Sequence, residues 1–128
     1  MTPRERAAAR IVELLDSPVL RALTEPARLA VLKTLLVHGS ADIATIAQHL
    51  PQDRSVISRH LKTLEDAGIV SSHREGRHVV YEIDGASFIE RLERIVSEAK
   101  ALTPTCCPPT PERQPSPSAA RGRKRSSS

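Results

Sequence analysis

The sequence has almost no aromatic residues: one Phe, one Tyr and no Trp among 128 residues. Its core must therefore be built from Leu, Ile, Val and Ala, which favours packed helices over an aromatic-rich β-sandwich. No apolar run approaches the roughly 20 residues that span a bilayer. The N-terminal segment also lacks the uninterrupted apolar stretch of a signal peptide. These absences predict a cytoplasmic protein that does not bind a membrane.

The motifs of common enzyme classes are missing as well. There is no Gly-rich phosphate loop, no G-x-S-x-G, no C-x-x-C and no H-E-x-x-H in the sequence, so the usual carriers of phosphate, acyl and metalloprotease chemistry are absent. The length allows one modest domain. We therefore expect a binding protein rather than an enzyme, without an organic cofactor.

The formal net charge of +4 is carried entirely by the C-terminal end. Residues 1–102 contain 14 basic and 14 acidic residues, whereas residues 103–128 contain five basic residues and one acidic residue. Six of the ten prolines fall between positions 104 and 117, and SPSAARGRKRSSS follows with almost nothing to bury. This composition predicts a folded domain over residues 1–102 and a disordered, Pro-rich, basic tail over 103–128.

Hydrophobic periodicity predicts helices over most of residues 1–102. Four of them cover residues 4–15, the segment from an N-cap at Thr24 to Gly39, residues 42–50, and residues 54–68 after the cap Asp53. The period then changes to 2, and Glu75-Gly76 predicts the turn of a β-hairpin. A last helix over residues 85–102 carries a long apolar stripe of Phe88, Ile89, Leu92, Ile95, Val96 and Ala99. Together with the first helix, this stripe is expected to face a second copy of the chain.

Two helices joined by a Pro-containing turn and followed by a hairpin predict a winged helix-turn-helix, mainly α with a β-hairpin wing. Its recognition helix would be the fourth predicted helix, which carries three positive charges and no negative charge between positions 54 and 62. Such a local excess is typical of a phosphate-facing element. The candidate DNA-binding residues on this helix and the hairpin are Arg54, Ser55, Ser58, Arg59, Lys62, Arg74 and Arg77. A dimeric adaptor that uses the same fold for protein contacts is the alternative.

Four stretches resemble the ArsR/SmtB family of bacterial repressors: LTEPARLAVLKTLL, DIATIAQHL, SVISRHLKTLEDAGIV and REGRHVVYEI. The resemblance covers roughly residues 20–83 and implies a homodimer that binds a near-palindromic double-stranded DNA operator. Many such repressors leave DNA when a metal or metalloid binds. The arsenic-sensing cysteine pattern of the family would fall on Gly39, Ala41 and Ala44, so that sensor site is absent. The zinc-sensing pattern would fall on Gly85, Ser87, Glu98 and Ala101, and that sensor site is absent too.

The only two cysteines, Cys106 and Cys107, are adjacent in TPTCCPPTP. Adjacent Cα atoms lie about 3.8 Å apart, below the usual disulfide span of about 4.4–6.8 Å, so a disulfide within the pair would be strained. Neighbouring thiolates suit a thiophilic ion, either mercury with two sulfurs or trivalent arsenic or antimony with three. We therefore predict that such an ion binds at Cys106–Cys107 as inducer. A redox or persulfide switch, a repressor without a small ligand, and an incidental pair are the alternatives.

Overall fold

The computed structural model describes residues 1–108, which form six helices and three strands. The helices are α1 Pro3–Leu15, α2 Pro18–Ala22, α3 Pro26–His38, α4 Ile43–Ala47, α5 Arg54–Asp66 and α6 Gly85–Cys106. The strands are β1 Ser40–Asp42, β2 Val70–Glu75 and β3 His78–Ile83. They form one antiparallel sheet in the order β1-β3-β2. The predicted mainly α architecture, with a helix-turn-helix (α4–α5) and a hairpin wing (β2–β3), is confirmed.

The core is aliphatic, as the scarcity of aromatic residues predicts. Its most deeply buried large side chains are Val31, Leu35, Ile46, Ile57, Leu61, Leu64 and Ile69. Burying one such side chain contributes about 1.5–3 kcal/mol, so this cluster is the main source of stability. Phe88, Leu92 and Ile95 of α6 are half-buried and pack against it. None of the helices within residues 1–108 is long and apolar enough to cross a bilayer.

The N-terminal half contains one helix that periodicity did not predict, and one predicted cap is wrong. Helix α2 has only five residues, too few for an apolar repeat, although Ser17 caps it and Pro18 occupies its first turn. Glu25, rather than Thr24, is the N-cap of α3. The Thr24 hydroxyl instead donates a hydrogen bond to the carbonyl of Arg21 at 2.8 Å, at the end of α2.

The sheet differs from the predicted hairpin in two respects. Strand β1 adds a third strand, in which Ala41 lies opposite Tyr81; its three residues are too short to show alternation. The predicted turn at Glu75-Gly76 is displaced by one residue, because Glu75 pairs with His78 across the ladder. The two loop residues are therefore Gly76, with φ +61°, and Arg77, which is the short loop that favours glycine.

Helix α6 continues beyond residue 102, so the predicted end of the last helix is wrong. The sequence contains Pro104, which lacks an N–H and so cannot bond the carbonyl of Lys100 four residues earlier. The Thr103 hydroxyl donates to that carbonyl instead at 3.1 Å, and the Cys107 N–H bonds the carbonyl of Thr103 at 2.8 Å. The predicted tail from residue 109 onward lies outside the described residues and stays a prediction.

Candidate nucleic-acid interface and thiol site

Helix α5 divides into a buried face and an exposed face. Ile57, Leu61 and Leu64 are completely buried, and their spacing of four and three residues places them on one side of the helix. The predicted DNA-contacting side chains of this helix are all exposed: Arg54, Ser55, Ser58, Arg59 and Lys62. The core contacts therefore fix the rotation of α5 so that this cationic face is directed to solvent.

Asp53 is the N-cap of α5. Its Oδ1 accepts hydrogen bonds from the Ser55 hydroxyl at 2.7 Å and from the Val56 N–H at 3.0 Å. The Ser55 bond, the Val56 bond and the nearby charge of Arg59 hold the pKa of Asp53 below its usual value. Asp53 is therefore ionised at neutral pH, and the Ser55 hydroxyl is already engaged in the cap.

The basic side chains of the interface differ in their ion pairing. Lys62 Nζ lies 3.5 Å from Asp66 Oδ2, one turn further along α5. Within residues 1–108, no carboxylate lies within 4.0 Å of the guanidinium groups of the four arginines of this surface, Arg54, Arg59, Arg74 and Arg77. Their charges are therefore not neutralised at short range, and they remain available to an external anion.

The wing supplies the second cationic group. Arg74 lies on β2 opposite Val79, and Arg77 lies in the loop between the strands. Both side chains are exposed. Because the wing follows directly after α5, these arginines belong to the same segment of the fold as the cationic face of that helix.

Two polar contacts that the sequence did not predict hold the wing and the helix-turn-helix together. The Ser72 hydroxyl of β2 donates to Glu65 Oε1 of α5 at 3.0 Å. His78 Nδ1 of β3 lies 3.2 Å from Oδ2 of Asp42, the N-cap of α4. A cap residue before an apolar run is a sequence signal that could have identified Asp42. The contacts of Ser72 with Glu65 and of His78 with Asp42 form only when the chain folds, and no periodic pattern in the sequence indicates them.

Gly68 makes the connection from α5 to the wing. It has φ +76°, its N–H bonds the carbonyl of Glu65 at 3.0 Å, and the next N–H, of Ile69, bonds the carbonyl of Leu64 at 2.9 Å. These two bonds are the Schellman arrangement that ends a helix through a left-handed residue. A Cβ on Gly68 would also displace the guanidinium of Arg91 from α6, which is the movable end of an exposed side chain. A glycine at this position therefore fixes the direction in which β2 leaves α5.

The cysteine pair lies at the C-terminal end of α6. Cys106 Sγ is 3.5 Å from Cys107 Sγ and 3.5 Å from the carbonyl oxygen of Leu102. Partial burial, followed by the hydrogen bond to Cys107, raises the pKa of the Cys106 thiol, while Arg4 acts in the opposite direction. Within residues 1–108, no group of three or more His, Cys, Asp or Glu side chains is arranged to hold a metal. The pair therefore offers two sulfurs, and each thiol that binds a metal must do so as its thiolate.

The buried face of α5, its cationic exposed face and the adjoining wing define the winged helix-turn-helix class. Residues 25–72 match the family model described as "Bacterial regulatory protein, arsR family". The chain is 34% identical over 99 residues to the HTH-type transcriptional regulator CmtR of Mycobacterium bovis, covering 77% of this chain and 76% of CmtR. The chain belongs to the ArsR family.

Other relatives agree with this assignment. The HTH-type transcriptional repressor SmtB of Mycobacterium tuberculosis is 40% identical over 78 residues, which is 56% of this chain and 53% of SmtB. The chain thus spans about half of the length of that relative. An ArsR-like transcriptional regulator from a Rhodococcus species superimposes with a TM-score of 0.57 at 30% identity, covering 73% of this chain and 88% of the other. A homodimeric winged helix-turn-helix DNA-binding domain from Mycobacterium bovis shares the fold, with a TM-score of 0.52 at 24% identity and coverage of 80% and 92%.

Proposed function

We propose that the protein is a homodimeric, DNA-binding transcriptional repressor. In this proposal α5 enters the major groove, and the wing arginines Arg74 and Arg77 contact backbone phosphates. The observation that carries it is the exposed cationic face of α5, opposite a completely buried apolar face. Because Arg54 and Arg59 form no ion pair within residues 1–108, their charges can replace counterions of the DNA.

The dimer is proposed from α1 and α6, which pack against each other through an ion pair of Arg10 with Glu98 at 2.6 Å. Four large apolar side chains of these helices remain exposed: Val12, Leu15, Ile89 and Val96. Large apolar side chains exposed on two helices that pack together are candidates for an interface between copies of the chain. The homodimeric relative of the same fold supports the assignment. A two-fold axis would present two copies of α5 to half-sites about one helical turn apart, hence a near-palindromic operator.

The inducer is proposed to be a thiophilic metal or metalloid ion bound at Cys106 and Cys107. With metal–sulfur bonds of about 2.3 Å, two sulfurs in a linear arrangement lie about 4.6 Å apart and two at nearly right angles about 3.3 Å apart. The Sγ–Sγ distance of 3.5 Å is close to the second value. Without side-chain rotation, this spacing is nearer to the pyramidal geometry of trivalent arsenic or antimony, and a rotation of the side chains would be needed for linear mercury. The third sulfur would come from the second subunit or from a free thiol.

The position of the pair supports a role in release. Cys106 is the last residue of α6, the helix that we assign to the dimer interface, so a shift of this end changes how the two subunits face the operator. Only a small coupling is needed, since about 2.7 kcal/mol corresponds to a hundredfold loss of DNA affinity. A redox or persulfide switch would use the same two thiols and stays the alternative for this site.

The test is fluorescence anisotropy of the reduced protein on DNA from upstream of its own gene. Trivalent arsenic, antimony, mercury and zinc are titrated separately, with the Cys106→Ser, Cys107→Ser double variant as control. Release by arsenic or antimony that the double variant lacks supports the proposal. Tight binding that ignores every ion, or release that persists without the thiols, contradicts the proposed inducer site. Absence of DNA binding, together with binding of a protein partner that does not change with salt, contradicts the proposed repressor and favours the protein-binding adaptor.

A further inference from the structure

Two histidines that are distant from the cysteines in sequence lie side by side in the fold. His38 is the last residue of α3, and His49 follows the end of α4. Their ring centroids are 4.5 Å apart, with an angle of 38° between the ring planes. Both side chains are exposed and line a groove of about 310 Å³ together with Lys33, Thr34 and Val37.

The nitrogen atoms of both rings are uncommitted. Across the described part of the chain, neither imidazole takes part in a side-chain hydrogen bond or an ion pair, unlike His73, which is bonded to Glu75 at 2.9 Å. His38 and His49 can therefore turn a nitrogen toward the groove without losing a contact. This differs from the usual situation of surface histidines in this protein, since His78 is also paired, with Asp42.

We propose that His38 and His49 together bind a divalent transition-metal ion of the Ni²⁺, Cu²⁺ or Zn²⁺ type. Imidazole nitrogen is a preferred ligand of these ions, and affinity is greatest for Cu²⁺. Two rings in contact need only a small rotation to share one ion. The site is distinct from the cysteine pair, which has the soft sulfur ligands that select arsenic or antimony.

The remaining coordination positions of this ion belong to water. No acidic or sulfur-containing side chain of residues 1–108 joins the two histidines to make a group of three, and the ammonium of Lys33 in the same groove opposes a cation. The site is therefore an open, exchangeable one rather than a closed structural centre.

Occupancy of this site would tie the end of α3 to the segment that leads into the proposed recognition helix. His49 lies four residues before Asp53, the cap of α5. A metal bridge would restrain this connection. Metal binding itself does not depend on the proposed DNA-binding function, so it is tested without DNA.

The experiment uses the full chain with Cys106→Ser and Cys107→Ser, which removes the sulfur ligands. Ni²⁺ is titrated into this protein and into its His38→Gln, His49→Gln and His73→Gln derivatives by isothermal titration calorimetry. We expect one ion per chain and a loss of affinity of at least about tenfold in each of the first two derivatives. His73→Gln serves as the matched control on the wing and should bind as the parent does.

Electron paramagnetic resonance of the Cu²⁺-loaded parent provides a readout that needs no substituted histidine. Coupling to two imidazole nitrogens is expected, because the two rings are the only neighbouring histidine pair found within residues 1–108. Coupling to a single nitrogen would overturn the proposal. So would unchanged Ni²⁺ affinity in His38→Gln or His49→Gln, or a loss confined to His73→Gln.

Discussion

At the scale of single residues, Arg59 and Lys62 share the exposed face of α5 but differ in their surroundings. Lys62 is paired with Asp66, whereas Arg59 has no carboxylate within 4.0 Å in residues 1–108. An exposed pair of this type contributes little to stability, but it lowers the charge that Lys62 can offer to DNA. The two side chains therefore give unequal contributions to the proposed interface.

We expect Arg59→Ala to weaken operator binding by about tenfold or more and to lower the salt slope by about one phosphate contact. Lys62→Ala should have a smaller effect, because its charge is already partly offset by Asp66. The control is Lys33→Ala, which removes an exposed positive charge from α3. Anisotropy titrations at several salt concentrations measure both quantities. Equal losses for Arg59→Ala and Lys33→Ala would mean that net charge, not the α5 face, determines binding.

The cap of α5 gives a prediction on protonation. Ser55→Ala removes the largest cause of the lowered pKa of Asp53, so that pKa should rise toward its ordinary value. A lowered pKa contributes stability that is present above the unfolded-state pKa and is lost as the pH falls through the folded-state pKa. In Ser55→Ala the contribution of Asp53 to the free energy of unfolding should therefore decrease at pH values above its unfolded-state pKa. Carboxyl-carbon NMR titration of Asp53 measures the shift, and Ser58→Ala, one turn further along, should leave it unchanged.

At the scale of elements, the connection from α5 to the wing depends on one glycine. Gly68→Ala places a Cβ at φ +76° and against Arg91, and the left-handed conformation alone costs about 1–2 kcal/mol for a residue with a side chain. Gly85→Ala is the matched control, since no heavy atom lies within 4 Å of its Cβ position. Urea unfolding should show a loss for Gly68→Ala and little change for Gly85→Ala. Equal stability of the two variants would contradict this role of Gly68.

The elements that could be predicted from the sequence are those in which apolar residues recur at a regular spacing. Ile57, Leu61 and Leu64 recur at helical spacing, and all three are completely buried on the inner face of α5. Helix α2 and strand β1 are too short to repeat any pattern, so their existence depends on tertiary contacts. The extension of α6 to Cys106 could not be predicted either, because proline usually ends a helix and the bond from Thr103 to Lys100 offsets the missing N–H.

Only part of the candidate site could be predicted from the sequence. The exposed positions of Arg54 and Arg59 follow from the helical spacing of the buried residues Ile57, Leu61 and Leu64. The sequence does not show that these arginines lack ion-pair partners within residues 1–108. It also does not show the bond of Ser72 to Glu65 or the contact of His38 with His49, each of which joins two different elements of the fold. Such contacts are created by the packing of elements and have no counterpart in the order of residues.

At the scale of the whole molecule, the long helix α6 has no completely buried residue. One side of it is half-buried against the core through Phe88, Leu92 and Ile95, while Ile89 and Val96 are 53% and 52% exposed. An amphipathic helix normally buries its apolar stripe. Ile89 and Val96 therefore identify the part of α6 that the proposed dimer would cover.

We expect Ile89→Glu combined with Val96→Glu to convert the proposed dimer to a monomer, because two charges would be buried without partners in the interface. Sedimentation velocity measures the change in mass. The control is Val37→Glu, whose parent side chain is 72% exposed on α3, outside α1 and α6; it should leave the association state unchanged.

The same double variant separates assembly from folding. Ile89 and Val96 are not part of the buried core, so the circular dichroism spectrum should stay that of a folded, helical chain. Operator affinity should nevertheless fall steeply, since a monomer presents one α5 where the dimer presents two at a fixed spacing. A folded monomer that binds the operator as tightly as the parent would contradict the dimeric mode of reading. A double variant that remains a dimer would place the interface outside these exposed positions of α6.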